Sequence, residues 1–491
     1  MDYLFIEKSD LIRLDIFKYI LFSKQNITIN QIKKEFQLSQ ATVYRYISQL
    51  HLDIESCFNS EYDLHLELKH DNSYKIIYNS TRNINFYVNE LRLFYIKKNT
   101  KFKILTSLMN RKYKNIEQLS NELHLSKSTV YKKLRSLTDL TQEFGITISC
   151  NKNGDNIRGL EKDIRLFYFL ILWESRSTLI DTNIDSNTSP YISGYNFKVD
   201  FSLSQNKKLN LIQEITIRRI IEHKMINISS DFINDTYLLV IPTLEFHSYF
   251  LTKESIHDEK IFFSYIIRFL IPEMNTFSEK NQIVHNYSKE IFGQKISLFL
   301  KKFVNTFKIS FSKKNYVELF FILIIYTVYF KYFDYDILKF YINDNWDSEH
   351  YSSKNDVSTL KNITNFLAIE SKELGIDFSH LSISSKNILE QTLFFFYASE
   401  TEKKTITIYV SYSKNLYIIP IIKNFISSIF GNNVEFTHNI DLANIVISDT
   451  FEGNLKNKNY FYFTNEHSAS TWNNLSEYIN YFISQSTLLE I

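Results

Sequence analysis

Cysteine, glycine and proline are scarce in this chain of 491 residues, numbering 2, 8 and 4. Cys57 and Cys150 stand far apart, which argues against a disulfide scaffold or a multi-cysteine zinc cluster and fits a reducing cytoplasm, so no metal site is expected. The glycines never fall in GxG or GxxxxGK spacing. No loop can therefore bring successive backbone amides against a phosphate, and dinucleotide and P-loop folds are excluded. HExxH and GxSxG are missing too, so neither a metal-bound water nor an exposed nucleophilic serine is signalled. We expect no catalytic residue, no cofactor and no enzymatic activity. The opening MDYLFIEKSD carries acids early and lacks the basic segment and small-residue cleavage site of a secretory signal. The longest apolar run, Leu319 to Phe330, falls short of the roughly 20 residues a spanning helix needs and reads as a buried core helix. A soluble, cytoplasmic protein without a membrane partner is expected.

What is present is an ordinary globular mixture, 44% hydrophobic and 22% charged, so the chain can bury real cores. At roughly 100 to 200 residues per domain its length implies about three to five folding units. Fifty-six Lys and Arg against 54 Asp and Glu leave a formal charge of +2, so affinity for nucleic acid must come from local clustering. The bias toward Lys, Asn, Ile, Phe and Tyr fits an AT-rich genome.

The strongest signal is an internal repeat. Residues 29–50, INQIKKEFQLSQATVYRYISQL, align without gaps to residues 116–137, IEQLSNELHLSKSTVYKKLRSL, at an offset of 87. In each copy the apolar residues trace a helix, a short break and a second helix; Ile29, Ile32 and Phe36 form one stripe, Val43, Ile47 and Leu50 the other. Thr28 and Asn115 suit the first N-cap, Ser39 and Ser126 the second. This is the helix-turn-helix pattern, whose second helix can enter a major groove. A strand pair follows each copy: Tyr62, Leu64, Leu66 and Leu68 alternate with polar residues, then Tyr74, Ile76 and Tyr78 after a turn at His70 to Ser73. Downstream, Phe144 to Ser149 and Asn156 to Gly159 flank a turn at Asn153 and Gly154. Both modules therefore read as winged.

Charge separates them. From Lys97 to Ser136 eleven basic residues face only Glu117 and Glu122, a local net of +9, whereas residues 28–50 carry +2. Phosphate neutralisation supplies most nonspecific affinity for DNA, so the second module reads as the stronger binder of double-stranded promoter DNA. On its recognition helix Val130, Leu134 and Leu137 should face inward. That leaves Lys127, Ser128, Thr129 and Lys132 toward bases and Tyr131, Lys133 and Arg135 nearer phosphates. In the first module the equivalent candidates are Gln40, Thr42, Tyr44 and Arg45.

From Glu161 to about Tyr397 the pattern is helical, with apolar stripes at Ile164 to Trp173 and Ile261 to Ile271 and one polar loop from Asp181 to Gly194. Residues 228–256 and 309–337 share a polar start, a mainly apolar helix and a closing Ile, suggesting a second, weaker duplication. After Lys404 strands and helices alternate: TITIYVS, a helix at Ile418 to Phe430, VEF at Val434, NIVISDT at Asn444, YFYFT at Tyr460 and a helix at Leu475 to Phe482. Such alternation indicates a small parallel sheet.

This order of parts resembles the Mga and AtxA type of virulence regulator from Gram-positive bacteria. The most specific residues are the second helix-turn-helix and the following FGITISCNKNGDNIRGLEKDIR joint, with Gly145, Gly154, Gly159 and Glu161. The resemblance implies a multidomain, mainly α chain: a winged helix-turn-helix at 1–80, a second, Mga-type one at 81–162, PRD-like helical domains at 163–282 and 283–400, and an EIIB-like α/β domain at 401–491. It implies a DNA-binding transcriptional regulator, an activator of virulence or carbohydrate-linked genes, that forms a homodimer through its C-terminal domain. It also implies phosphorylation on histidine by a phosphocarrier protein of the sugar phosphotransferase system. At the usual PRD histidine positions stand Pro242 and Leu323. His223, His247, His257, His285, His350 and His380 remain, and of these His223 and His380, beside polar segments, are the preferred candidates. A working EIIB carries a nucleophilic cysteine after its first strand, where this chain has Ser411, a poor substitute for a thiolate. The alternatives are a phosphotransferase-system phosphocarrier with a DNA-binding arm, or an interaction hub whose basic segment binds RNA or protein.

Overall fold

The computed structural model describes residues 2–23, 25–58, 64–69, 73–78, 84–152, 155–175, 192–194, 201–247, 251–333, 354–401, 406–412, 418–449, 459–463 and 469–486. The turns expected at 70–72 and 153–154, the polar loop before Ile192, Tyr62, Ile337 and His350 lie outside them. The described chain is mainly helical, with a small parallel sheet near its C-terminus, and divides into two compact units: residues 1–289 with 324–340, and residues 290–323 with 341–491.

Unit 1 begins with α1 (Asp2–Phe5), α2 (Lys8–Phe22), β1 (Ile27–Thr28), α3 (Ile29–Phe36), α4 (Gln40–Cys57), β2 (His65–Leu68) and β3 (Ser73–Ile77). The three strands form an antiparallel sheet with β3 central. The alternation expected from the sequence holds at Leu64, Leu66, Tyr74 and Ile76, all buried, but Leu68 is exposed because the strand ends there. The second module follows as α5 (Ile84–Lys98), α6 (Thr100–Asn110), α7 (Ile116–Glu122), α8 (Lys127–Gln142) and a short antiparallel pair, β4 (Thr147–Ile148) with β5 (Ile157–Arg158).

The duplication recurs in atomic detail. Thr28 and Asn115 each accept the backbone N–H three residues on, and Ser39 and Ser126 do the same for Thr42 and Thr129. Between the helices Gln37 and His124 both adopt the left-handed conformation, at φ 53° and 54°. The next N–H then closes back onto the preceding helix, Leu38 to Lys33 O and Leu125 to Ser120 O. Every one of these pairs is separated by the sequence offset of the repeat, so the same local chemistry builds the same turn twice.

The helical part of unit 1 comprises α9 (Glu161–Glu174), β6 (Ile192–Ser193), α10 (Leu203–Ile221), α11 (Ser230–Thr236), β7 (Glu245–Phe246), α12 (Lys253–Leu270) and α13 (Phe277–Tyr287). In α9 every residue from Asp163 to Ile171 is buried, the charged Asp163 and Arg165 together with the apolar stripe. Four charged groups hold this core together. Arg165 donates to both oxygens of the fully buried Glu259 at 2.6 and 2.7 Å and to Glu161 at 2.9 Å, and Arg219 reaches Glu161 at 2.9 and 2.7 Å.

Unit 2 contains α14 (Ile291–Phe307), the first part of α15 (Lys313–Tyr332), α16 (Lys354–Glu370) and α17 (Ile383–Glu400), with Phe299, Phe303 and Phe366 packed ring to ring. The helix expected at Leu319 to Phe330 is thus present within α15 and mostly buried. The second duplication does not extend to secondary structure. Residues 313–332 form one helix, but the corresponding stretch stops at Thr236 and continues as a short 3-10 turn and β7. Pro242 explains the difference, since it lacks an N–H and disfavours a helical residue before it.

The chain ends in β8 (Ile406–Ser411), α18 (Ile418–Phe430), β9 (Val434–Thr437), β10 (Ile445–Ser448), β11 (Asn459–Tyr462) and α19 (Ala469–Ser486). All strand pairs are parallel, in the order β11-β10-β8-β9, as the alternation in sequence implies. The wholly apolar IVI of central β10 is buried on both faces, while β8 alternates. Ser411 closes β8, in register with Ser448.

Candidate nucleic-acid interface

In α8 the buried residues Val130, Leu134, Leu137 and Thr141 form one stripe. At 100° per residue the opposite line is Ser128, Lys132, Arg135 and Asp139, and all four are exposed. Lys132 and Arg135 meet no carboxylate among the described residues, which leaves their charge available to a phosphate or a guanine edge. Exposed Lys114, just ahead of α7, is in the same condition.

Other expected contacts are already engaged. Lys127 pairs with Glu117 at 2.7 Å, both side chains more than half exposed. The pairing holds the Glu117 carboxyl below its usual range, chiefly through the hydrogen bond from Lys127. Lys133 is half-buried and lies 3.6 Å from Glu7, so it faces the first module more than solvent. The hydroxyls of Ser128 and Thr129 stand 2.9 and 2.8 Å from Ser126 Oγ and share its cap. Tyr131 is 60% exposed and Tyr44, its counterpart on α4, 49%, so α8 and α4 each project an aromatic ring at the same position of the repeat. Gln40 and Arg45 are exposed as well, with Arg45 lying over the Tyr46 ring, and the Thr42 hydroxyl is 2.8 Å from Ser39.

Two anchors that periodicity did not reveal hold these surfaces in place. Asn156, 2% exposed at the base of the wing, accepts from Tyr113 N–H at 2.7 Å and donates to Tyr113 O and Ser149 O at 2.8 and 2.9 Å, tying the wing to the start of α7. Asp53, 3% exposed, accepts from Arg13, Tyr95 and Gln49 at 2.9, 2.9 and 3.2 Å, linking α2 and α4 of the first module to α5 of the second. Burial, then the Asp53 charge, pushes the Tyr95 hydroxyl far up, so it stays a donor. In sequence Asn156 and Asp53 look like ordinary surface polar residues.

The two candidate phosphorylation sites lie elsewhere. His223 is exposed after α10 with φ 59°, and His380 is 84% exposed with Nδ1 2.7 Å from Asp377. Leu323 is buried and Pro242 exposed at the positions where PRD histidines would stand. No described helix is long and apolar enough to cross a membrane.

No curated protein matches the chain closely enough to count as a relative. Residues 84–172 match the family model of the Mga helix-turn-helix domain. The match opens on the first residue of α5 and closes within α9, so it takes in the basic recognition helix, the wing and Glu161. Over residues 84–172 the chain thus carries a helix-turn-helix domain of the Mga type.

Proposed function

We propose that the protein regulates transcription by binding promoter duplex through α8 and its wing, with α4 of the first module as a weaker second contact. The observation that carries this reading is the outward line of Ser128, Lys132 and Arg135 on a helix of groove-entering size, within a segment of net charge +9. The docking of the first module through Asp53 and Glu7 supports a joint footprint. PRD-like character for residues 163–282 and 283–400 and EIIB-like character for 401–491 belong to the same proposal. So do a homodimer through the C-terminal domain and control of virulence or carbohydrate-linked genes by activation. The exposed Ile421, Ile429, Tyr462 and Tyr481 of the terminal domain favour self-association there. With Ser411 at the end of β8 and no cysteine beyond Cys150, phosphotransfer by this domain is not part of the proposal.

The test is duplex binding as a function of salt for wild type and for Lys132→Ala with Arg135→Ala. Each lost phosphate contact should flatten the slope of log binding against log salt by about 0.9. An unchanged slope sinks the assignment. Incubation with a phosphocarrier protein, followed by phosphohistidine mapping, tests His223 and His380. Label on neither removes that branch.

A further inference from the structure

From the end of α10 and the turn that follows it, Arg218 and Lys224 reach the winged module, and Arg219 braces the start of α9 just behind it. Arg218 donates to Asn110 Oδ1 at 2.8 Å and to the Met109 carbonyl, at the C-terminus of α6. Arg219 holds Glu161, two residues beyond the wing glycine Gly159. Lys224 pairs with Asp155 at the base of the wing. Both ends of the Lys224 peptide are fixed, its N–H on Arg219 O at 2.9 Å and its carbonyl on Arg165 at 3.0 Å, through a turn that His223 closes in the left-handed region. The ammonium of Lys224 is therefore placed by the fold.

Asp155 also binds Lys112, at 2.8 Å, so one carboxylate is shared by a lysine of the reader and a lysine of the helical part. Partial burial works against its charge, but the hydrogen bonds from Lys112 and Lys224 outweigh this and hold the carboxyl at about 2. Lys112 remains 70% exposed and Lys224 34%, and Arg158, also exposed, donates from Nε to the Asp155 carbonyl at 3.2 Å. One acid therefore sits among three cationic residues at the base of the wing, and phosphate contacts of this kind position a protein on duplex DNA.

We infer that the DNA footprint extends beyond the winged module onto the α10–α11 turn, with Lys224 as a phosphate contact and Asp155 as the internal competitor that occupies Lys224 and Lys112 in the free protein. The inference rests on the proposed DNA-binding function. When duplex arrives, a phosphate oxygen replaces the Asp155 carboxylate at both ammonium groups, and the helical part then reads the same ligand as the wing.

The test uses the full chain and a promoter duplex, with binding measured across a salt series for wild type, Lys132→Ala, Lys224→Ala, Lys224→Gln and Asp155→Asn. Lys224→Gln keeps the reach of the side chain and removes only its charge, and a thermal melt confirms the fold of each variant. Both Lys224 variants should lose affinity several-fold and flatten the salt slope by about one. Asp155→Asn should bind several-fold more tightly. If Lys132→Ala flattens the slope and neither Lys224 variant does, the extended footprint is wrong while the function stands. If Asp155→Asn leaves affinity unchanged or lowers it in a folded protein, the competitor role is wrong. An unchanged slope for Lys132→Ala overturns the function and this inference together.

Discussion

Replacing Glu259 by Ala should unfold the helical part of unit 1 at a much lower temperature. Glu259 is fully buried and accepts three hydrogen bonds, two from Arg165 and one from Ile226 N–H at 3.0 Å. Arg165, 4% exposed, would keep Glu161 and the Lys224 carbonyl but lose the carboxylate that both terminal nitrogens share, and Glu161 is already shared with Arg219. Removing one member of a buried pair costs about 3–5 kcal/mol, because the remaining charge is left desolvated. At about 2–4 °C per kcal/mol for a domain of this order of size, the expected fall in melting temperature is roughly 6–20 °C. Circular dichroism would measure the shift, and hydrogen exchange at α9 and α12 amides would assign it. Arg165→Met with Glu259→Met, which removes both charges and keeps the volume, should recover most of the loss. A fall of less than about 2 °C for the single variant, or a double variant as damaged as the single, would refute the reasoning.

Ser126→Ala removes the α8 N-cap and should cost about 1 kcal/mol, measurable by urea titration, with weaker duplex binding through fraying of the recognition helix. His124→Gly should stabilise by about 1 kcal/mol, since a left-handed residue without a Cβ carries no steric penalty; a destabilised variant would contradict the turn geometry. The Asp155 carboxyl lies below its ordinary 3.8, so its contribution to stability is complete above that value and disappears as pH falls toward about 2. The stability gap between wild type and Asp155→Asn, followed by denaturant titration from about pH 5 to about pH 2, should therefore close at the acid end. Gly194→Ala would drive a Cβ into the Thr243 carbonyl from a positive φ and should break the β6–β7 pair, seen as loss of amide protection at Glu245 and Phe246.

The repeat, its four N-caps and the strand alternations were legible because they depend on local rules. A Ser three residues before an orphan amide caps it wherever it occurs, and an offset of 87 applies to the whole module. The terminal α/β order was legible for the same reason, down to the bounds of Ile418–Phe430. What stayed hidden depends on tertiary partners. Nothing local distinguishes Glu259, fully buried, from Glu254, exposed five residues earlier. Helical phase sets Lys132 opposite the buried stripe and Lys133 to one side of it, but the carboxylate of Glu7 beside Lys133 comes from the docking of another module. The expectation that Lys127 and Lys133 are free for DNA likewise could not anticipate Glu117 and Glu7, which lie 10 residues away and in another module respectively.

Helix α15 carries a practical lesson about truncation. Its C-terminal turns return to unit 1, where Tyr329 stacks on Phe269, Tyr265 donates to the Ile325 carbonyl and Lys331 binds Asp235. A fragment cut at residue 282, where sequence alone would place a border, would leave a greasy socket around Phe232 and Tyr265 and an orphaned Asp235. Shortened versions made for crystallisation or promoter work should therefore run past Phe333, or supply residues 324–333 as a separate peptide to plug the gap.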